Sequence, residues 1–124
     1  MIEIVATDNY RGNLDSIEAY WEACLFPAGI GRLLTELAAT ALVNLPNHPR
    51  MGRHFLQRQS RSADAVARIQ KINALLRTLD TDTARAEVRE YVMTDYLLLV
   101  ALVGEVIYLL AIKHHKQLSF DVDL

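Results

Sequence analysis

A chain of 124 residues, 52% of them apolar, suits one domain with a modest core, and residues 1–124 are read as a single unit. A single cysteine excludes an internal disulfide, and "MIEIVATDNY" has no basic stretch ahead of an apolar one, so no signal peptide is expected and the cytoplasm is the expected compartment. The formal net charge of −2 conceals a strong asymmetry: residues 50–77 carry Arg50, Arg53, Arg58, Arg61, Arg68, Lys71 and Arg77 against Asp64 alone.

In chain order, Ile2 to Thr7 reads as a strand. Asp8 or Asn9 is the expected cap of a helix running to about Cys24, with Leu14, Ile17, Trp21 and Tyr20 on its apolar side. Cys24, set among Trp21, Leu25 and Phe26, is expected to be a buried thiol, since nothing local would activate it as a nucleophile. Phe26 to Gly29 breaks the chain. A second helix from about Ile30 to Asn44 presents Leu33, Leu34, Leu37, Ala41 and Leu42 as a core stripe. Leu45 to Arg53, "LPNHPRMGR", reads as a loop.

Ser62 is the expected cap of a third helix, over about 62–79, with Val66, Ile69, Ile72, Leu75, Leu76 and Leu79 on one broad face. Asp80 to Thr83 stops it. Glu87 to Met93 alternates like a strand, and Thr94-Asp95 turns the chain. Tyr96 to Ile112 is an apolar run of seventeen residues, at the short limit for a membrane span. Glu105 at its middle would cost about 2.5–3.5 kcal/mol in a bilayer, whereas Gly104-Glu105 is a good tight turn between two strands. Both strands are apolar at nearly every position, so both faces should be covered, by helices or by a partner chain. The expected fold is therefore α+β: a small antiparallel sheet, made of the N-terminal strand and a C-terminal three-stranded meander, packed on a helical hairpin with an extra inserted helix.

The basic block suggests a local anionic partner, nucleic acid or an acidic protein segment; the alternative is a solvated helix face. At the end of the last strand, alternation places Lys113 and His115 on one face and His114 and Lys116 on the other. Adjacent histidines face apart and lack a third ligand, so no metal site is expected.

"HPRMGR" (His48 to Arg53), "VREYVMTDYLLL" (Val88 to Leu99) and "VIYLLAIKHHKQ" (Val106 to Gln117) resemble, in this order, the motifs of the RelE/ParE family of type II toxins, small bacterial proteins often described as plasmid stabilisation proteins. The match covers about half the chain, and the segment Leu56 to Ala86 is longer than is usual in the family. The resemblance implies neutralisation by a cognate antitoxin, no cofactor and no membrane, and leaves open a homodimer or a toxin–antitoxin hetero-oligomer.

The RelE branch cleaves mRNA on the ribosome. The resemblance would place that chemistry on His115, His114, Lys113, Arg89 and Arg53, which together could supply a base, cations for the phosphorane and an acid. RNase members usually carry a basic residue on the middle strand, where this chain has Leu97 and Leu99. In this it looks more like the ParE branch, whose members are associated with inhibition of DNA gyrase. A domain of this fold that only binds a partner is a third reading. Residues expected to meet a partner are Arg61, Arg68, Lys71, Arg77, Tyr96, Tyr108 and Lys116, together with the apolar strand surface from Tyr96 to Ile112.

Overall fold

Thr7, rather than Asp8 or Asn9, caps the first helix. Its side chain accepts from the Tyr10 N–H at 3.2 Å and donates to Leu109 O at 2.7 Å, tying the helix start to the last strand. The computed structural model describes residues 2–55, 63–79, 86–117, 120 and 122. Its elements are β1 (Glu3–Ala6), α1 (Asp8–Ala23), α2 (Ala28–Glu36), a π-helical turn (Leu37–Ala41), α3 (Leu42–Asn47), β2 (Arg53–His54), α4 (Ala63–Arg77), β3 (Glu87–Val92), β4 (Tyr96–Val103) and β5 (Val106–His114). The expected Ser62 cap and the stop at Asp80 to Thr83 lie outside the described residues.

The fold is α+β. Its five strands form a mixed sheet in the order β1-β5-β4-β3-β2. The meander is antiparallel, but β1 pairs parallel with β5, in the register Glu3 with Val106 to Ala6 with Leu109. The hairpin turn falls at Gly104-Glu105, where Gly104 (φ +60°) supplies the positive φ required by the first position of a type II′ turn.

The second helix begins two residues earlier than expected and runs three further, to Asn47, so Leu45 and Pro46 leave the anticipated loop. Leu33, Leu37, Ala41 and Leu45 are buried along it, whereas Leu34 is 47% exposed. The π turn rotates the buried stripe by inserting one residue.

Both faces of the sheet are covered. Leu98, Val100, Leu102, Ile107, Leu109 and Ile112 pack with Tyr10, Leu33, Leu37 and Leu45 under α1 to α3. Leu99, Ala101, Leu110 and Ala111 pack on the opposite face with Phe55 and with Ile72, Leu75 and Leu76 of α4. Leu110 is the extra residue of a β-bulge, since Leu99 pairs with Ala111 and Val100 with Leu109. Every residue from Tyr96 to Leu102 is at most 7% exposed. The apolar run is thus a hairpin buried on both sides, and no helix among the described residues is long and apolar enough to cross a membrane. This corrects the expected partner surface: the strand faces from Tyr96 to Ile112 are occupied by the chain's own helices.

A second correction concerns Cys24, which is exposed. The first helix ends there in a Schellman turn, with Phe26 N–H bonded to Trp21 O and Leu25 N–H to Glu22 O, both at 3.0 Å. Leu25 holds the position that normally takes glycine, with φ +56° and a side chain 88% exposed. A left-handed leucine costs about 1–2 kcal/mol, and its side chain recovers little at that exposure. Glycine also loses more chain entropy on folding, so Leu25→Gly is expected to stabilise by about 0.5–1 kcal/mol in urea denaturation. No gain, or a loss, would show that Leu25 packs against something.

Candidate functional site

The sheet divides the charged residues that the sequence brings together. Successive β3 side chains alternate faces, so Glu90 lies on the α4 side and Arg89 on the side of α1 to α3. Antiparallel pairing places Arg53 opposite Glu90 and His54 opposite Arg89.

On the α4 side, the Arg53 guanidinium lies 3.6 Å from the carboxylate of Glu90, which is buried. Lys113 is buried nearby, donates to Gln117 O at 2.8 Å and lies 5.6 Å from the Phe120 ring centre. Burial pushes the Lys113 ammonium below its ordinary pKa; Glu90 opposes this and Arg53 adds to it. Glu90 and Lys113 are thus buried, while the Arg53 guanidinium reaches them from a half-exposed position.

The other group lies at the β2–β3 edge. Arg50 Nε donates to both carboxylate oxygens of Glu87 at 3.2 Å. Arg89 lies 3.0 Å from His54 Nε2, donates to Gly52 O at 3.3 Å and approaches Glu87 at 3.6 Å. Arginine can only donate, so His54 Nε2 is the acceptor and its proton sits on Nδ1. The hydrogen bond from Arg50, followed by the charges of Arg50 and Arg89, holds the Glu87 carboxyl below its usual pKa.

The histidines are separated as well. His114 ends β5 on the α1 side, its ring edge-on to Tyr96 with centroids 5.2 Å apart. His115 leaves the strand. Its N–H bonds Asp95 O at 3.0 Å, and its Nε2–H donates to Met93 O at 3.0 Å, both at the β3–β4 turn. Lys113 and His115 therefore do not share a face, because the strand stops one residue short of the alternation that would align them. The set His115, His114, Lys113, Arg89 and Arg53 is divided among four places, and no common substrate position faces all five.

Of the expected partner residues, Lys71 and Arg77 are exposed on α4 and Lys116 is exposed after β5. Tyr96 is buried, and Tyr108 packs against the α4 cluster. Arg61 and the Arg68 side chain lie outside the described residues. No protein-family model matches the chain, and no curated protein matches it.

Two clefts flank Tyr96. The larger, about 440 Å³, lies between α1 and the end of β5; the smaller, about 320 Å³, lies between α2 and the β3–β4 turn. Asn13, Ser16, Ile17 and Tyr20 form one wall of the larger, at spacings of three, four and seven residues on a single helix face. The sequence signal was present in that periodicity, but only Ile17 and Tyr20 stand out as apolar. His54 and Glu87, which engage the expected cationic residues, carry no distinguishing motif, and Glu90 lies in a quoted motif but was not singled out.

Proposed function

We propose that this chain is the toxin of a type II toxin–antitoxin pair, of the ParE-like kind, which arrests growth in the cytoplasm by binding DNA gyrase and is neutralised by a cognate antitoxin. The observation that carries the binding reading is the division of the charged set. A phosphoryl-transfer site needs its cations and its base aimed at one position. Here Arg53 faces Glu90, Arg50 and Arg89 face Glu87, and the His115 ring serves the Met93 carbonyl. The middle strand offers Leu97 and Leu99 where RNase members carry a cation, and both are buried. The resemblance in "HPRMGR", "VREYVMTDYLLL" and "VIYLLAIKHHKQ" supports the toxin reading, and the α+β order of elements agrees with it.

Expression of the chain alone should arrest growth, and co-expression of an antitoxin from the neighbouring gene should restore it. Purified protein should block gyrase supercoiling and leave ribosome-bound mRNA intact. Cleavage of A-site codons that is lost in His115→Ala would instead assign the RelE-like endoribonuclease. Normal growth at high soluble expression would leave a non-toxic binding module.

A further inference from the structure

The larger cleft has a one-sided hydrogen-bonding character. Four of its polar side chains direct an acceptor atom into the protein. Asn13 Oδ1 accepts from Ile112 N–H at 3.0 Å, and Gln117 Oε1 accepts from His114 N–H at 3.0 Å. His114 Nδ1 accepts from Lys116 N–H at 3.1 Å, and the Tyr96 hydroxyl accepts from Trp21 Nε1–H at 3.0 Å.

These internal bonds fix the remaining chemistry. With Nδ1 acting as an acceptor, the neutral His114 ring carries its proton on Nε2 and is a donor there. Gln117, its oxygen engaged, has its NH₂ as donor, and Lys116 adds an ammonium. Among the described residues lining the cleft there is no Asp or Glu. The neighbouring cleft differs, since Glu36 and Asp95 line it with Arg32. Ile17, Ile112 and the Tyr20 ring give the larger cleft an apolar wall, and its volume is in the range of small-molecule sites.

We propose that this cleft binds a small organic monocarboxylate, its carboxylate received by His114 Nε2–H, Lys116 and the Gln117 amide and its apolar body lying against Ile17, Ile112 and Tyr20. A carboxylate is acceptor-only and meets the donors with charge assistance. A cationic ligand would meet an ammonium with no counter-charge. A dianionic phosphate would have one formal cation and no fork of guanidinium donors. The site is independent of the toxin reading, so either can fail alone.

The test is a titration of the full chain, followed in ¹H–¹⁵N correlation spectra, with 3-phenylpropionate, 3-phenylpropionamide and phenethylamine. The acid should give saturable shifts centred on His114, Lys116 and Gln117, with the amide and the amine at least about tenfold weaker. Lys116→Met and His114→Phe should each weaken the acid about tenfold while resonances remote from the cleft stay in place, which reports folding separately from binding. Equal binding of the amide or the amine, shifts that do not saturate by about 10 mM, or unchanged affinity in both variants would overturn the proposal.

Discussion

Replacing Leu99 with alanine will lower the unfolding free energy by about 2–5 kcal/mol, measured by urea or guanidinium denaturation. Leu99 has no exposed surface. It sits at the centre of β4, opposite Glu90 on one side and Ala111 on the other, beneath α4. Truncation removes buried methyl groups and leaves a cavity between a five-stranded sheet and a helix that cannot collapse without moving Ile72, Leu75 or Leu76. A domain of this size has about 5–15 kcal/mol of stability in all, so the variant should be strongly destabilised at room temperature and easily unfolded on warming. Val92→Ala is the control. Its side chain is 53% exposed at the end of β3, and the loss there should stay below about 1 kcal/mol.

The same substitution bears on function. In RNases of the resembling family a basic residue is expected near this strand position. A lysine introduced at Leu99 would lie buried under α4, where its cross-strand neighbour Glu90 already faces Arg53 and Lys113, so it should destabilise the sheet rather than create a catalytic cation. A loss below about 1 kcal/mol in Leu99→Ala would mean that α4 does not cover this face. The surface of β4 would then be open to a partner, as the apolar pattern alone suggests.

β1, β3, β4 and β5 were legible because each carries a local signal, whereas β2 starts at Arg53, within what reads as a loop. Gly104-Glu105 marks the hairpin turn, and unbroken apolar runs on both sides of it signal strands covered on both faces. The inserted helix was legible from the spacing of Val66, Ile69, Ile72, Leu75, Leu76 and Leu79, although Val66 is 45% exposed and does not join the buried face. The packing of the helical hairpin on one face was expected, but the placement of the inserted helix on the other was not, because periodicity shows which side of a helix is apolar and says nothing of which surface it meets. The parallel pairing of β1 is likewise a matter of topology, fixed by where the helices return the chain. The bulge at Leu110 is silent too. It inserts one residue into β5 among Leu109, Leu110 and Ala111, all apolar, so nothing in the pattern marks the change of phase. That phase decides which way Lys113 and His114 point. The candidate catalytic set is divided for two further reasons: alternation along β3 puts Arg89 and the Arg53–Glu90 pair on opposite faces, and β5 ends before His115. The cap at Thr7 and the left-handed Leu25 are further misses of the same kind: Asp8 and Asn9 are ordinary caps, and a leucine at a glycine position announces nothing.

Gly29→Ala will shift the fluorescence of Trp21 and lower stability by about 2–4 kcal/mol, combining overpacking with a lost hydrogen bond. Gly29 is buried in the first turn of α2, and a Cβ built there runs into the indole ring of Trp21 at Cδ2, Cε2 and Cε3. The half-buried ring would have to move against Phe26, edge-on at 5.7 Å, and Tyr20, at 5.1 Å. Alanine should favour the helix by up to about 1 kcal/mol on propensity alone. The steric term is larger, so the sign is set by the clash. Displacing the indole breaks its 3.0 Å bond to the Tyr96 hydroxyl, and Tyr96 separates the two clefts and supports the His114 ring. Because Trp21 is the only tryptophan, its emission reports this region alone. The emission maximum should move to longer wavelength as the ring becomes wetter, and the thermal midpoint should fall by several degrees. An unchanged spectrum and midpoint would show that α2 and α1 can separate enough to admit a methyl group. In that case Trp21 and Tyr96 would not be the fixed wall that the donor geometry of the larger cleft depends on.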